Sequence, residues 1–397
     1  MGSSHPSFGA VLRQLIKDRG LSYREAAAHA HFSAGYISDL IGGKKPPNLY
    51  AAEKLDEAFG GGGRLVAFVA PTSTGVEGEV LDDELDALDL LRRVEASDVG
   101  PETLGQLERA VDEMCMRYAT DPPEQLLPRV RRHLAYVGRL IDSRATISQK
   151  KRLLVAGSWL SLLAATLHID LQQRHAAQAR LGVARTMAEH VGHDEIRAWC
   201  LETEAWEVLT AGNFVAAADL SRQAQSLAPP GSSALIQATA QEGRAHARMG
   251  QGTETRDVLG RVEQLVAGMA RPDRPEHHYQ YDPAKAESYS ATTLAWIGDA
   301  AAVGVAETVI ESLRAEGVRP RRMASAQLDL SLALLAAEKE DEAATHATTA
   351  ILSGRIVASN WWRATEILQA VDPKLPEAAI LREAYQEHLP VRHPDGA

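Results

Sequence analysis

Turn signals recur at the spacing of helix pairs through the second half of the chain. Gly212, Gly250 and Gly298 each separate two alanine-rich segments, and the intervals between them are 38 and 48 residues. The longer interval contains an insert with proline and histidine, from Arg271 to Asp282. Because β-strand alternation is almost absent beyond residue 120, the sequence predicts an all-α body. Helix pairs repeated every ~34 to 45 residues are typical of an α-solenoid, in which each pair buries its apolar face against the next.

Further helix pairs extend this pattern in both directions. The turn from Glu338 to Asp341 predicts a later pair, the segment from Gln149 to Gly192 predicts an earlier one, and the chain from Asn360 onward predicts a cap. The predicted repeat region therefore covers residues 121–397.

One repeat unit carries landmarks of a known repeat. Its aromatic, small and proline positions are Trp206, Leu209, Gly212, Phe214, Ala217, Ala218, Pro229 and Pro230. This pattern resembles tetratricopeptide (TPR) repeats, although that family places glycine directly after the leucine. The resemblance implies a TPR-like α-solenoid with a curved inner face.

Charge is divided unevenly along the chain. The net charge is −11, yet residues 1–70 contain eight Lys or Arg against six Asp or Glu. An anionic partner is therefore expected to meet this first segment rather than the acidic remainder. The two cysteines, Cys115 and Cys200, have no metal-finger spacing, which favours a reducing compartment and predicts no structural metal.

The sequence predicts neither export nor a membrane span. The longest nearly continuous apolar run, Leu153 to Leu167, is shorter than the ~20 residues needed to cross a bilayer, and we interpret it as a buried helix. The residues from Met1 to Pro6 lack the basic and apolar segments of a signal peptide. A cytoplasmic protein is therefore expected.

Capping signals define a first domain, which we place at residues 1–70. Ser22 and Glu25 form a capping-box pattern at the start of one short helix, and Ser33 is a candidate N-cap for a second helix that stops at Gly42. Apolar residues at helical spacing before and after this pair predict five short helices in all.

Residues 71–120 are predicted to be a linker and an acidic amphipathic helical segment. Glu77 to Asp89 contains seven acidic residues and no basic one. This acidic face is either solvated or competes with a polyanionic partner for the basic first domain.

The helix pair of the first domain matches a known pattern at nine positions. They are Leu21, Ser22, Ala27, Ser33, Ile37, Ser38, Leu40, Gly43 and Pro47. The match resembles the XRE (phage-repressor-like) helix-turn-helix family, and it departs from that family at Tyr23, His31 and Ile41. The resemblance implies that the helix from Ser33 to Ile41 enters the major groove of double-stranded DNA.

Side-chain types then divide the expected DNA contacts. Ala34 and Gly35 are expected nearest the base edges, where Ala34 suits a thymine methyl group and Asp39 suits a cytosine amine. The residues expected at the phosphates are Tyr23, Arg24, Ser33, Tyr36, Ser38, Lys44 and Lys45. So few charges predict weak binding by one domain, and hence a homodimer on a pseudo-palindromic operator with half-sites ~34 Å apart.

A helix-turn-helix domain joined to helical repeats resembles the RRNPP-type peptide-sensing regulators and long actinobacterial regulators. This resemblance implies a bacterial transcription regulator, bound to the nucleoid when on DNA, whose repeat domain dimerises and senses a peptide or small-molecule effector. The alternative is a TPR-type interaction adaptor whose first domain does not read DNA.

Aromatic and arginine side chains on the presumed inner helices and the insert are candidate effector contacts. They are Trp206, Arg244, Tyr289 and Trp296 on helices, and His277, His278, Tyr279 and Tyr281 in the insert. An arginine can pair with a ligand carboxylate in a bidentate manner, and aromatic rings can cover apolar groups. For each tryptophan, packing between repeats is the alternative.

No motif of a common enzyme class occurs in the sequence. Gly43-Lys44 is followed by Lys45 rather than Ser or Thr, and neither G-x-S-x-G nor H-E-x-x-H is present. The cluster from His190 to Glu195 lacks a further ligand at metal-site spacing. We therefore expect no catalysis, no cofactor and no metal.

Overall fold

The computed structural model describes residues 7–45, 47, 49–69, 85–90, 99–269, 272–317 and 319–389. The chain divides into two compact units, residues 1–84 and 85–397, and all regular structure in the described residues is helical, as predicted. Pro46, most of the acidic segment, Arg271 and the last residues of the predicted cap lie outside the described part.

The described part of the first unit forms four α-helices and one short 3-10 helix, where the sequence predicts five helices. They are α1 (Phe8–Asp18), α2 (Tyr23–His29), α3 (Ala34–Ile41), α4 (Leu49–Ala58) and the 3-10 helix Val66–Phe68. Their apolar faces meet in one core, whose fully buried members include Leu12, Ile16, Ile37, Leu40, Leu55, Phe59 and Leu65. Because Leu65 is part of this core, the domain extends past the glycine run at residues 60–63.

Serine caps start the first three helices. The Ser7, Ser22 and Ser33 hydroxyls accept hydrogen bonds from the amides of the residues three positions later. Glu25 completes the predicted capping box, since its carboxylate accepts from the Ser22 amide at 2.9 Å. Each cap satisfies an amide that the helix itself leaves unpaired.

The second unit is a succession of antiparallel helix pairs. Its helices are α5 (Pro101–Arg117), α6 (Pro123–Ile141), α7 (Ile147–Asp170), α8 (Arg174–Val191), α9 (Asp194–Thr210), α10 (Phe214–Leu227), α11 (Ser233–Arg248), α12 (Gly252–Val266), α13 (Ala284–Trp296), α14 (Ala302–Glu316), α15 (Pro320–Ala336), α16 (Glu340–Leu352), α17 (Trp361–Ala370) and α18 (Pro376–His388). Residues 358–360 form a 3-10 turn before α17.

The second unit begins inside the segment predicted to be a linker. Residues 85–90 are helical, and Leu88 is buried in the same core as Leu104, Leu107 and Met114 of α5. This core also includes α6 and α7. The burial of α5 places it in the repeat unit, 20 residues before the predicted start at residue 121.

The first helices of successive pairs line one side of the array. Helices α9, α11, α13, α15 and α17 contact one another in series, and α10, α12, α14 and α16 pack against them from the other side. This arrangement is that of an α-solenoid with an inner wall made of the first helices.

Helix α7 is largely buried within the second unit. Among the described helices it alone is long and apolar enough to cross a membrane, and 83% of its apolar window is buried. It contains the run from Leu153 to Leu167 that the sequence analysis interprets as a buried helix.

Candidate nucleic-acid interface and effector cavity

Helices α2 and α3 form a helix-turn-helix around a left-handed turn residue. His31 has a φ of 58°, a conformation that residues other than glycine adopt uncommonly. It occupies the turn position at which the helix-turn-helix family that the sequence resembles has glycine. On α3, Ile37 and Leu40 are buried in the core, so the opposite face of the helix points outward.

All ten residues predicted to contact DNA lie at the surface of the first unit. Tyr23, Arg24, Ser33, Ala34, Gly35, Ser38, Lys44 and Lys45 are exposed, and Tyr36 and Asp39 are half-buried. The exposed start of α3 carries only small side chains, because Ala34 and Gly35 follow the Ser33 cap. A backbone with such small side chains can approach a groove closely.

The position of α3 depends on close backbone contact with α1. A Cβ atom added to Gly9 would lie 2.5 Å from the Ile41 carbonyl oxygen and 2.9 Å from that of Leu40. Only glycine therefore fits where α1 passes the end of α3.

Two lysines and an aromatic pair flank the end of α3. The Lys44 amide donates to the Asp39 carbonyl at 2.9 Å. The Lys45 ammonium lies 5.8 Å from the centre of the Tyr36 ring, which in turn packs against Phe32. Cations near a helix C-terminus are favoured by the helix dipole, and both lysine side chains are exposed.

A partly open cavity of about 270 Å³ lies along the inner wall of the second unit. It is lined by residues of five first helices, of α7, of the turn after α5 and of the insert. The lining residues are Tyr118, Ala119, Thr166, Trp199, Glu202, Thr203, Trp206, Gln237, Gln241, Arg244, Glu276, His278, Ser288, Tyr289, Thr292, Arg321, Arg322, Ser325, Ala326, Asp329, Asn360 and Arg363.

Three arginines of the lining are paired with carboxylates. Arg363 donates to Asp329 at 2.8 Å, Arg321 to Asp170 at 3.0 Å, and Arg322 to Asp282 at 2.8 Å. Each pair joins two helices, or a helix and the insert. Because each arginine has a carboxylate partner, its charge is compensated within the protein.

Arg244 of α11 differs from these three arginines. It is 3% exposed, and the hydrogen bond of its guanidinium goes to the Gln241 side-chain oxygen at 3.2 Å. The Tyr289 and Trp296 rings lie 5.5 and 5.4 Å from its central carbon. Burial, and secondly the charge of Arg363, lower the pKa of Arg244 to about 10, so the group remains charged at neutral pH.

The insert between α12 and α13 forms part of the cavity wall. The His278 amide donates to the Cys115 carbonyl at 3.2 Å, and the His278 ring lies 4.1 Å from that of Tyr118. Tyr279 is 3% exposed and packs against Trp159 and Trp199. The insert therefore packs against the end of α5, α7 and α9, all of which lie earlier in the chain.

The predicted effector contacts separate into two groups. Trp206, Arg244, His278 and Tyr289 line the cavity. His277, Tyr281 and Trp296 do not: His277 lies 3.6 Å from Asp112, Tyr281 is buried among apolar residues between α11, α12 and α13, and Trp296 packs on Arg244 and Trp362.

Two polar lining residues beside the predicted Arg244, Gln237 and Gln241, were not predicted from the sequence. Gln237, Gln241 and Arg244 are spaced at i, i+4 and i+7 and form a polar stripe on one face of α11. All three are buried. A polar stripe within an alanine-rich helix is the signal that marks this wall.

In the part of the chain that the structure describes, no group of three His, Cys, Asp or Glu side chains is placed to hold a metal ion. His193 instead caps α9, where its ring nitrogen accepts from the Ile196 amide at 3.3 Å.

Comparison with known proteins identifies the first unit. Residues 7–68 match the family model of a helix-turn-helix domain, which confirms the predicted resemblance over this segment. No curated protein matches the chain. Among solved structures, the chain is similar to Bacillus thuringiensis PlcR, crystallised in complex with the peptide PapR7 and DNA, at 10% identity and a TM-score of 0.27, over 66% of this chain and 95% of that one. A similarity at this level transfers neither the DNA nor the peptide to the present chain.

Proposed function

We propose that the protein is a DNA-binding transcription regulator in which the first unit reads duplex DNA and the second unit dimerises and senses an effector. The observation that carries this proposal is the outward face of α3 in a domain that matches the helix-turn-helix model. This face presents small side chains at its start and Lys44 and Lys45 at its end. Small groups suit base edges, and cations suit phosphates.

The cavity of the second unit supports the proposed regulation. An effector that binds there changes DNA binding only if it favours one arrangement of a dimer over another. The effector is a small molecule or a peptide, and the operator is a pseudo-palindrome read by two first units. Analytical ultracentrifugation is expected to give a molar mass for the protein in solution of twice the 42.9 kDa of one chain.

Fluorescence anisotropy with a labelled random-sequence duplex at several salt concentrations tests DNA binding. The logarithm of the affinity is expected to fall linearly with that of salt, and Lys44→Ala with Lys45→Ala should reduce the slope by up to about 2. Lys54→Ala is the matched control, because the Lys54 ammonium is already paired with Glu57 at 3.1 Å. Absence of duplex binding at low salt favours the adaptor instead.

A further inference from the structure

Five buried N–H groups lining the cavity have no hydrogen-bond partner among the described residues. They are Trp199 Nε1, Gln241 Nε2, Arg244 Nε, Arg244 Nη2 and Arg363 Nε. The four side chains are each at most 8% exposed. Buried donors are nearly always hydrogen-bonded in folded proteins, so the set is incomplete without an acceptor.

Almost all of the buried lining atoms without a hydrogen-bond partner are donors. The one oxygen of the lining in the same condition, Oε1 of Glu276, lies 3.1 Å from the Arg319 guanidinium in an ion pair. The cavity therefore has donors to offer and needs an acceptor, which is the requirement of an anion and not of a cation.

The charge of Arg244 leads to the same conclusion. The charges of Asp329 and Glu202 act on Arg244, but both carboxylates hydrogen-bond to other side chains: Asp329 accepts from Arg363 at 2.8 Å and Glu202 accepts from Gln237 at 3.1 Å. A buried guanidinium that forms no direct ion pair is stabilised when a counter-charge binds beside it.

The rest of the lining defines the body of the ligand. Trp199, Trp206 and Tyr289 present aromatic rings to the cavity, which suits an apolar or aromatic group. A volume of about 270 Å³ lies just below the range of small-molecule sites, roughly 300 to 1,000 Å³, so it suits a small molecule.

We propose that this cavity binds a small organic carboxylate whose anionic group pairs with Arg244 and whose aromatic or apolar body lies against the lining rings. This assigns a chemical class to the effector, and only its regulatory meaning rests on the proposed function. The bidentate geometry of a guanidinium and a carboxylate gives the site its selectivity for carboxylates over neutral analogues.

Benzoate binding to the full chain, without DNA, tests the site. Sodium benzoate, its neutral analogue benzamide and sodium chloride are each added to separate protein samples, with ionic strength kept equal. Tryptophan fluorescence and the Tm of the protein are recorded in each titration. Benzoate is expected to quench fluorescence and raise the Tm, and benzamide to do neither. A wild-type protein that does not respond to benzoate overturns the proposal and leaves the DNA-binding assay untouched.

Variants of Arg244 separate a ligand-binding role from a structural one. Arg244→Met should raise the dissociation constant of benzoate on the order of tenfold to hundredfold and leave the ligand-free Tm equal or higher, because an unpaired buried charge is removed. Arg256→Met, at an exposed arginine paired with Asp299, is the matched control.

If Arg244→Met lowers the Tm, the Arg244→Lys variant separates ligand binding from a structural role. Lysine keeps the positive charge but lacks the planar pair of donors of the guanidinium. Weaker benzoate binding by the lysine variant supports the proposal, and unchanged binding overturns it.

Discussion

The Asp170 carboxylate at the end of α7 accepts a hydrogen bond from the Arg321 guanidinium of α15 at 3.0 Å, across 151 positions of sequence. The same carboxylate accepts from the Tyr118 hydroxyl at 2.9 Å and from the Ser359 hydroxyl at 2.7 Å. One buried side chain thus joins the turn after α5, helix α7, helix α15 and the segment before α17. These contacts hold segments that are distant in sequence together beside the cavity, which Tyr118 and Arg321 line.

Asp170→Asn is expected to lower the free energy of unfolding by about 3 to 5 kcal/mol, because it leaves the Arg321 charge buried without a counter-charge. Urea unfolding of the second unit measures the change. Glu108→Gln is the control: Glu108 and Arg152 pair at 2.8 Å with both side chains at least 40% exposed, and such a pair contributes at most about 1 kcal/mol. Equal losses in the two variants would contradict a role for Asp170 in joining these segments.

Gly9→Ala is expected to destabilise the first unit by about 1 to 3 kcal/mol, since the new methyl group meets the Ile41 carbonyl oxygen and must displace α1 or α3. The same substitution at Gly35 meets nothing within 4 Å and should stabilise the helix by about 0.5 to 1 kcal/mol. Hydrogen exchange of the α3 amides distinguishes the variants. A Gly9→Ala variant as stable as the wild type would show that the contact between α1 and α3 tolerates a side chain.

Tyr279→Ala should lower the free energy of unfolding by about 3 to 5 kcal/mol, because the ring of Tyr279 fills space beside Trp159 and Trp199. Tyr279→Phe keeps the ring and removes only the hydroxyl, which lies 3.2 Å from the Thr166 hydroxyl, so a loss of about 1 kcal/mol is expected. Denaturant titration of both variants measures the difference. Similar losses would mean that the hydroxyl, and not packing, anchors the insert.

Both cysteines are expected to be unreactive towards a thiol reagent such as Ellman's reagent at pH 8. Burial raises the pKa of Cys200 to about 12 and raises that of Cys115 further, and the thiolate is the reactive form. Two thiols per chain should be released only after denaturation. Rapid reaction of either thiol in the folded protein would show that its helix opens to solvent.

Local signals made the helices readable from the sequence. The Ser22 and Glu25 capping box forms as predicted, and His31 occupies the left-handed turn. Such features depend on residues three or four positions apart, so the amino-acid types suffice to define them. The start of the second unit was less readable, because the role of α5 depends on what its apolar face meets.

The sequence by itself determined an all-α chain, a capped helix-turn-helix near its start and helix pairs in series behind it. The tertiary structure alone decided which polar side chains share a cavity, because that depends on the rotation of each helix pair on the next. Tyr281, an expected wall residue, is buried between helices, whereas Gln241 lies beside Arg244 in the cavity. The contact between Asp170 and Arg321 depends on the orientation of every helix pair between them. A local sequence pattern does not specify the combined effect of these orientations.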